Sequence, residues 1–185
     1  MVASVFLALL ATGAAPAAAA PKLIPVDTGK SPLKLSAPVG WGFYIYAPHE
    51  KVLSTFAAIS PQCLPGPDIS VTIQLDQQIK SPEALIADQY PKTKYPETKP
   101  TKIHGWLCVA EEAHTDAMCA GRVKGLQGVV NVYFATTELA PYKALGAGAF
   151  AAKVAASLKW AGGDPNRIDP LDLSARPEGK DLCTH

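Results

Sequence analysis

The clearest hydrophobic pattern in the chain runs from Ile69 to Leu75, where apolar and polar residues alternate. This period of two predicts a β-strand that buries one face and presents the other to solvent. Trp41 to Tyr46 is rich in aromatic residues and lies between Pro38 and Pro48, which is typical of a strand with prolines at its ends. The apolar stretch from Val52 to Ser60 predicts a further strand.

A short helix is predicted after these strands. Ser81 is a suitable N-cap residue, Pro82 suits the first helical position, and Glu83 lies near the positive end of the helix dipole. Leu85, Ile86 and Tyr90 are the residues expected on its buried side, and Pro91 is expected to end it. The sequence therefore predicts a helix that begins at Pro82.

The second half of the chain predicts three closely spaced strands followed by a longer helix. The strands are Ile103 to Glu111, Ala117 to Leu126 and Val129 to Thr136, and the helix lies between Pro141 and Trp160. Strands on both sides of a short helix, followed by a C-terminal helix, predict an α+β fold with an antiparallel β-sheet flanked by helices.

The first two of these three strands predict a hairpin with a disulfide across it. If they pair around a turn at residues 112–115, Cys108 faces Cys119 and Trp106 faces Gly121. Directly opposed residues on neighbouring strands approach closely enough for a disulfide. We therefore predict a Cys108–Cys119 bridge.

The N-terminal segment predicts export. Met1 to Ala20 contains no charged side chain, and an apolar core from Val2 to Leu10 is followed by small residues, which is typical of a signal peptide cleaved after Ala19. That core is about half the length that spans a membrane, and no cysteine precedes Cys63, so no membrane or lipid anchor is expected. The predicted organisation is a signal peptide at 1–19, a flexible leader at 20–32, one α+β domain at 33–160, and a tail at 161–185.

Charge and cysteine content narrow the class of protein. The formal net charge of +1 gives no electrostatic reason to expect nucleic acid or an anionic membrane as a partner. Export to the periplasm or beyond a bacterial cell makes disulfides the expected state of the four cysteines. Cys63 and Cys183 then form the second pair and tie the tail to the domain, with free thiols or an intermolecular bond as the alternatives.

The predicted hairpin tip carries the candidate catalytic or metal-binding residues. Glu111, His114 and Asp116 lie at the tip, and His104 lies on the strand that leads to it. Carboxylates and imidazoles are ligands for divalent cations, so a metal-dependent hydrolase is one alternative. A solvated turn explains the same residues, because no H-E-x-x-H or comparable spacing is present. No motif for a cofactor is present either.

Aromatic residues of the first strand are candidates for partner binding. Trp41, Tyr44 and Tyr46 belong to a strand with aromatic residues on both faces. One face is expected in the core. The other is expected at the surface, where exposed aromatic side chains are enriched at protein interfaces.

Four short segments resemble a known family. They are Pro38-Val39-Gly40-Trp41, Ile103-His104-Gly105-Trp106, Val130-Asn131-Val132-Tyr133-Phe134 and Ser157-Leu158-Lys159-Trp160. Their order is similar to that of the PsbP-like and DcrB-like α/β/α sandwich proteins, over Leu33 to Trp160. The resemblance implies an antiparallel sheet between helices and a non-enzymatic role in binding or assembling other proteins. The chain lacks the lipid-attachment cysteine of bacterial DcrB-like lipoproteins.

These features predict an exported, soluble, non-enzymatic binding or accessory protein of the bacterial envelope. The expected partner is another envelope or extracellular protein, and an assembly factor, an immunity protein or an inhibitor fits this class. The two alternatives are the metal-dependent hydrolase and a structural factor for envelope stability that has no discrete ligand.

The two predicted disulfides should differ in their contribution to stability. Replacing Cys63 or Cys183 by serine should lower the free energy of unfolding by roughly 5 kcal/mol, against roughly 3 kcal/mol for Cys108 or Cys119, because the longer loop loses more entropy when closed. Denaturant unfolding of each variant, after non-reducing peptide mapping, measures this difference. Free thiols at Cys63 and Cys183 would contradict the prediction.

Overall fold

A computed structural model describes residues 21–26, 28, 32–45, 54–61, 69–110, 116–136 and 146–163, with the backbone alone at 42–45, 54–61, 69, 70 and 136. Within these residues the strands are Leu23–Pro25 (β1), Leu33–Lys34 (β2), Ser36–Pro38 (β3), Trp41–Ile45 (β4), Ser54–Pro61 (β5), Ile69–Asp76 (β6), Thr101–Ile103 (β7), Trp106–Ala110 (β8), Ala117–Gly121 (β9), Val129–Thr136 (β10) and Lys159–Trp160 (β11). The helices are Pro82–Gln89 (α1) and Ala147–Ser157 (α2).

The main sheet has seven strands in the order β4-β5-β6-β10-β9-β8-β7. Each neighbouring pair in this order is antiparallel. Two short antiparallel pairs, β1 with β3 and β2 with β11, accompany it. The predicted α+β class, with an antiparallel sheet flanked by helices, is confirmed.

A helix covers each face of the sheet, and we call these the first and the second face. On the first face, α2 packs on β8, β9 and β10, and the ring centroid of Phe150 lies 4.7 Å from that of Phe134 and 5.8 Å from that of Trp41. On the second face, α1 packs on the same three strands, and Leu85 and Ile86 are buried there. The sheet is therefore the middle layer between two helices.

The local signals for β6 and α1 are confirmed. Val71, Ile73 and Leu75 are buried on the first face, so the alternation in β6 does mark one buried face. The Ser81 hydroxyl accepts a hydrogen bond from the backbone N–H of Ala84 at 3.1 Å. This bond satisfies one of the free N–H groups in the first turn of α1.

The predicted hairpin register is confirmed as well. Cys108 lies opposite Cys119, with their Cα atoms 4.1 Å apart, and the disulfide is formed. Trp106 covers Gly121 so closely that a Cβ atom at Gly121 would overlap its ring. Cys63 and Cys183 lie outside the described residues, and their pairing stays a prediction.

The prediction of one strand from Ile103 to Glu111 is wrong, because a tight turn divides it into β7 and β8. His104 and Gly105 both have positive φ angles, 50° and 86°. Two successive residues in this conformation form the hairpin turn that matches the twist of the flanking strands. The next strand is also shorter than predicted and ends at Gly121 rather than Leu126.

Both ends of the predicted domain differ from the prediction. The last helix ends at Ser157, and Lys159–Trp160 is extended and pairs with Leu33–Lys34. Within the predicted leader, Leu23–Pro25 pairs with β3, and Leu23 packs on the hydrophobic core. In both cases, contacts between distant parts of the chain determine the local conformation.

Two glycines with nearly the same φ angle should respond differently to substitution. Gly128 (φ 116°) and Gly162 (φ 118°) both adopt a conformation that costs a residue with a Cβ atom about 1 kcal/mol. A Cβ atom at Gly128 would also lie 3.0 Å from the carbonyl carbon of Asp76, whereas a Cβ atom at Gly162 would have no atom of the described residues within 4 Å beyond its chain neighbours.

We expect Gly162→Ala to lower the free energy of unfolding by about 1 kcal/mol and Gly128→Ala by roughly 3 kcal/mol, since the second also forces the backbone at Asp76 to move. Urea denaturation of both variants measures the difference. Equal losses would show that the contact at Gly128 has no energetic effect.

Candidate functional site

The second face of the sheet divides into two unlike halves. Helix α1 packs on β8, β9 and β10, where Val109, Met118 and Val129 are buried against it. On β6, the second-face residues Thr72 and Gln74 are polar and only half-buried. Thr72 and Gln74 therefore bring a hydroxyl and an amide group to the second half, which is formed by β4, β5 and β6.

The strand register brings four residues into one line across this half. Tyr44 of β4 pairs with Ala58 of β5, Ala58 with Thr72 of β6, and Thr72 with Tyr133 of β10. We call these four residues the tyrosine row. Because neighbouring strands lie about 4.8 Å apart, its two tyrosine positions are about 14 Å apart, with two small residues between them.

The rows on either side are also small or polar. On one side of the tyrosine row, the register places Gly42 opposite Ser60. On the other side, Gln74 lies between Thr55 of β5 and Asn131 of β10 and pairs with both. Tyrosine combined with serine, threonine, glycine and asparagine is the composition that antibody binding surfaces use, because tyrosine supplies contact area with few rotatable bonds. The same combination here indicates a surface suited to binding.

Asn131 lies beside the tyrosine row and has an unsatisfied polar atom. Its side chain is 3 % exposed, and its Nδ2 donates a hydrogen bond to Gln74 Oε1 at 2.9 Å. Its Oδ1 is buried without a hydrogen-bond partner. An unsatisfied buried acceptor costs roughly 1–3 kcal/mol. The strand therefore retains a polar residue at a position where an apolar one is expected to be more stable.

A second hydrogen bond fixes the far end of the row. The Tyr133 hydroxyl donates to Asp116 Oδ2 at 2.8 Å. This bond restricts the orientation of the phenol ring of Tyr133. Asp116, one of the predicted metal ligands, is the acceptor of this hydrogen bond.

Of the four predicted metal ligands, the structure describes His104 and Asp116, and these two lie far apart. His104 precedes β8, whereas Asp116 adjoins Ala117, which pairs with Ala110 at the far end of that strand. The five residues of β8 hold the two side chains about 15 Å apart. Glu111 and His114 lie outside the described residues, and the described residues contain no group of three potential metal ligands.

The three aromatic residues predicted to bind a partner also have different positions. Trp41 is 8 % exposed and packs against Phe150, so it belongs to the core and not to an exposed patch. Tyr44 takes part in the tyrosine row by its register position. Tyr46 lies outside the described residues.

The acidic group at the start of α1 has a structural role. The pKa of the Glu83 carboxyl is lowered first by a hydrogen bond from its own backbone N–H, and then by one with the Ser81 hydroxyl and by the charges of Lys102 and Arg122. Arg122 also donates hydrogen bonds to the carbonyls of Gly128 and Lys80. Arg122 thus links the connection between β9 and β10, which contains Gly128, to the connection between β6 and α1, which contains Lys80.

No family model, no curated protein and no solved structure matches the chain. The resemblance to PsbP-like and DcrB-like proteins therefore stays a prediction. Among the described helices, neither is long and apolar enough to cross a membrane.

Two substitutions of Asn131 should have opposite effects on stability. Asn131→Leu removes the unpartnered carbonyl at similar volume, so we expect the free energy of unfolding to stay unchanged or rise by about 1 kcal/mol. Asn131→Asp buries a carboxylate, which should lower it by about 3 kcal/mol or more near neutral pH. Because burial raises the pKa of the new carboxyl, the loss should shrink as the pH falls and the group is protonated.

Urea denaturation at about pH 7 and about pH 4.5 measures both effects. Val130→Leu, on the neighbouring buried position of the first face, is the control for added volume. If Asn131→Leu were as destabilising as Asn131→Asp, the amide would have a partner that makes it necessary for folding.

Proposed function

We propose that the chain is an exported, non-enzymatic binding protein whose partner is another protein of the bacterial envelope or exterior. The partner would dock on the tyrosine row and the polar residues beside it. The observation that carries this proposal is the register that lines up Tyr44, Ala58, Thr72 and Tyr133 across four strands.

The geometry of the row favours a macromolecular partner over a small molecule. Its floor is formed by small residues on adjacent strands, so it is an extended surface about 14 Å long. The Tyr133 hydroxyl is held in place by Asp116, and Thr72, at the centre of the row, is half-buried. Fixed aromatic groups combined with hydrogen-bonding side chains are typical of protein interfaces.

The disulfide supports export. Cys108 and Cys119 are 2 % and 0 % exposed, so the bridge lies in the core and out of reach of redox partners. Such structural disulfides persist in oxidising compartments and are rare in the cytoplasm. Together with the predicted signal peptide, this favours the periplasm or the exterior. An assembly factor, an immunity protein or an inhibitor is the kind of role that fits.

Site-specific crosslinking tests this proposal. A photoreactive amino acid at Thr72, in the centre of the tyrosine row, should yield a discrete crosslinked protein when the chain is expressed in its own envelope. Thr101 is the matched control, because it is an exposed threonine on β7 at the opposite edge of the sheet. The proposal fails if position 72 gives no product or the same products as position 101.

The identified partner allows a quantitative test. In the purified pair, Thr72→Arg should weaken binding by about tenfold or more, since a long charged side chain would occupy the floor of the row. Thr101→Arg should leave the affinity unchanged. Melting curves of both variants should match that of the unmodified chain, which separates a lost contact from a lost fold.

A further inference from the structure

The connection between α1 and β7 contains a short internal repeat. Tyr90 to Lys94 reads Tyr-Pro-Lys-Thr-Lys, and Tyr95 to Lys99 reads Tyr-Pro-Glu-Thr-Lys, so four of the five positions are identical. We call residues 90–99 the repeat loop. Its three lysines and one glutamate give it a formal charge of +2, whereas the whole chain has +1. Positive charge is therefore concentrated in the repeat loop, and the rest of the chain has a net charge of −1.

Hydrogen bonds and ring contacts give the repeat loop a defined shape. The backbone N–H groups of Lys94 and Tyr95 both donate to the Pro91 carbonyl at 2.9 Å, and that of Thr98 donates to the Tyr95 carbonyl at 3.2 Å. The ring centroids of Tyr90 and Tyr95 are 5.3 Å apart, and the Lys94 ammonium lies 5.0 Å from the Tyr95 ring centroid. The backbone of the loop is therefore folded into two turns, one in each repeat.

The repeat loop presents its charged groups to solvent. Lys92, Lys94 and Lys99 are exposed, while Tyr90 and Tyr95 are half-buried. Exposed charges at the rim of an interface attract opposite charges on the partner and accelerate association. The repeat loop is therefore suited to a partner surface that carries carboxylates.

The repeat loop and the tyrosine row lie on the same face of the sheet. Tyr90 and Tyr133 both pack against the second-face apolar cluster, which includes Leu85 and Met118. The loop leads to β7, which is three strand spacings, or roughly 14 Å, from β10. The tyrosine row extends about 14 Å from β10 in the opposite direction. The row and the loop therefore extend together over roughly 28 Å, with α1 between them.

We propose that the repeat loop is a second contact region for the protein partner of the tyrosine row, and that this partner presents acidic residues to the loop. The inference rests on the proposed function and adds the charge of the partner's surface. An interface of standard size covers roughly 800 Å² of each protein and is therefore about 30 Å across. The tyrosine row alone is about half that length, whereas the row and the loop together match it.

The neutral row beside the charged loop favours a folded protein as the occupant. The four residues of the tyrosine row are uncharged, so they offer no electrostatic attraction to an anionic membrane or a long polyanion. The Debye length of about 8 Å at physiological salt also screens the charge of the loop over most of the row. A folded protein can place carboxylates over the loop and hydrogen-bonding groups over the row.

Crosslinking at two positions separates this inference from the proposed function. Thr93 is exposed in the first repeat, and a photoreactive amino acid there should capture the same protein as one at Thr72. Thr101 should not capture it, because Thr101 pairs with Cys108, whose side chain is buried on the first face. A product at position 72 with none, or a different one, at position 93 overturns this inference and leaves the proposed function intact. The absence of a product at position 72 overturns both.

Charge reversal in the purified pair measures the contribution of the loop. Lys92→Glu combined with Lys99→Glu should slow association by about tenfold at about 50 mM salt and by about twofold or less at about 1 M salt, because ions screen exposed charges. Melting curves of the variant should match that of the unmodified chain, since both lysines are exposed.

A second double variant controls for net charge. Lys153→Glu combined with Lys159→Glu changes the net charge by the same amount, but Lys153 belongs to α2 on the first face and Lys159 to β11. This variant should slow association by about threefold at most at about 50 mM salt. Equal slowing by both double variants would show an effect of net charge alone and overturn the proposal.

Vesicles test an anionic membrane as the alternative occupant. The chain should not cosediment with vesicles made of equal parts of phosphatidylglycerol and phosphatidylcholine at about 0.15 M salt. Cosedimentation that is lost when Lys92 and Lys99 are both replaced by glutamate would identify a membrane as the occupant of the loop and overturn the proposal.

Discussion

Strand β10 is covered on both faces, and its register with β6 and β9 decides which side chains meet which helix. Val130, Val132 and Phe134 pack under α2, while Val129, Asn131 and Tyr133 belong to the second face. A slip of one residue would exchange these two sets. It would bury an amide and a phenol in the larger core and separate Asn131 from Gln74. The tyrosine row exists only in the observed register.

The same register also separates the residues that pack against the helices from most of the tyrosine row. Both helices pack on β8, β9 and β10. On the second face, Thr72 of β6 and Ala58 of β5 continue the row from Tyr133, and both are small. Three of the four residues of the tyrosine row therefore lie on strands other than β8, β9 and β10, and Tyr133 lies on β10.

Sequence patterns predicted the features that depend on neighbouring residues. The alternation in β6, the Ser81 cap and the Cys108–Cys119 register each follow from a short stretch of chain, and the structure agrees. The turn at His104–Gly105 was missed because histidine is a less common turn residue than asparagine before glycine. The pairing of Trp160 with Leu33 joins residues far apart in the chain, and no local pattern indicates it.

The candidate surface was the least accessible part to sequence reasoning. Tyr44 was identified as an aromatic residue of the first strand, but Ala58 and Thr72 have no individual signature. The four residues of the row are brought into line only by three strand pairings. One signal was present, since Asn131 interrupts the apolar run of β10, and a polar residue on a central strand indicates either a hydrogen-bond partner or a ligand.

The Cys108–Cys119 bridge has a topological consequence for the hairpin tip. With a separation of 11 residues, the disulfide and the intervening backbone form a closed covalent ring. A protease that cuts the backbone once inside this ring opens it without dividing the molecule. Strands β8 and β9 stay joined through sulfur, and each remains held in the sheet by its outer neighbour. In a compartment rich in proteases, such a nick would leave a chain of the same shape with two new ends.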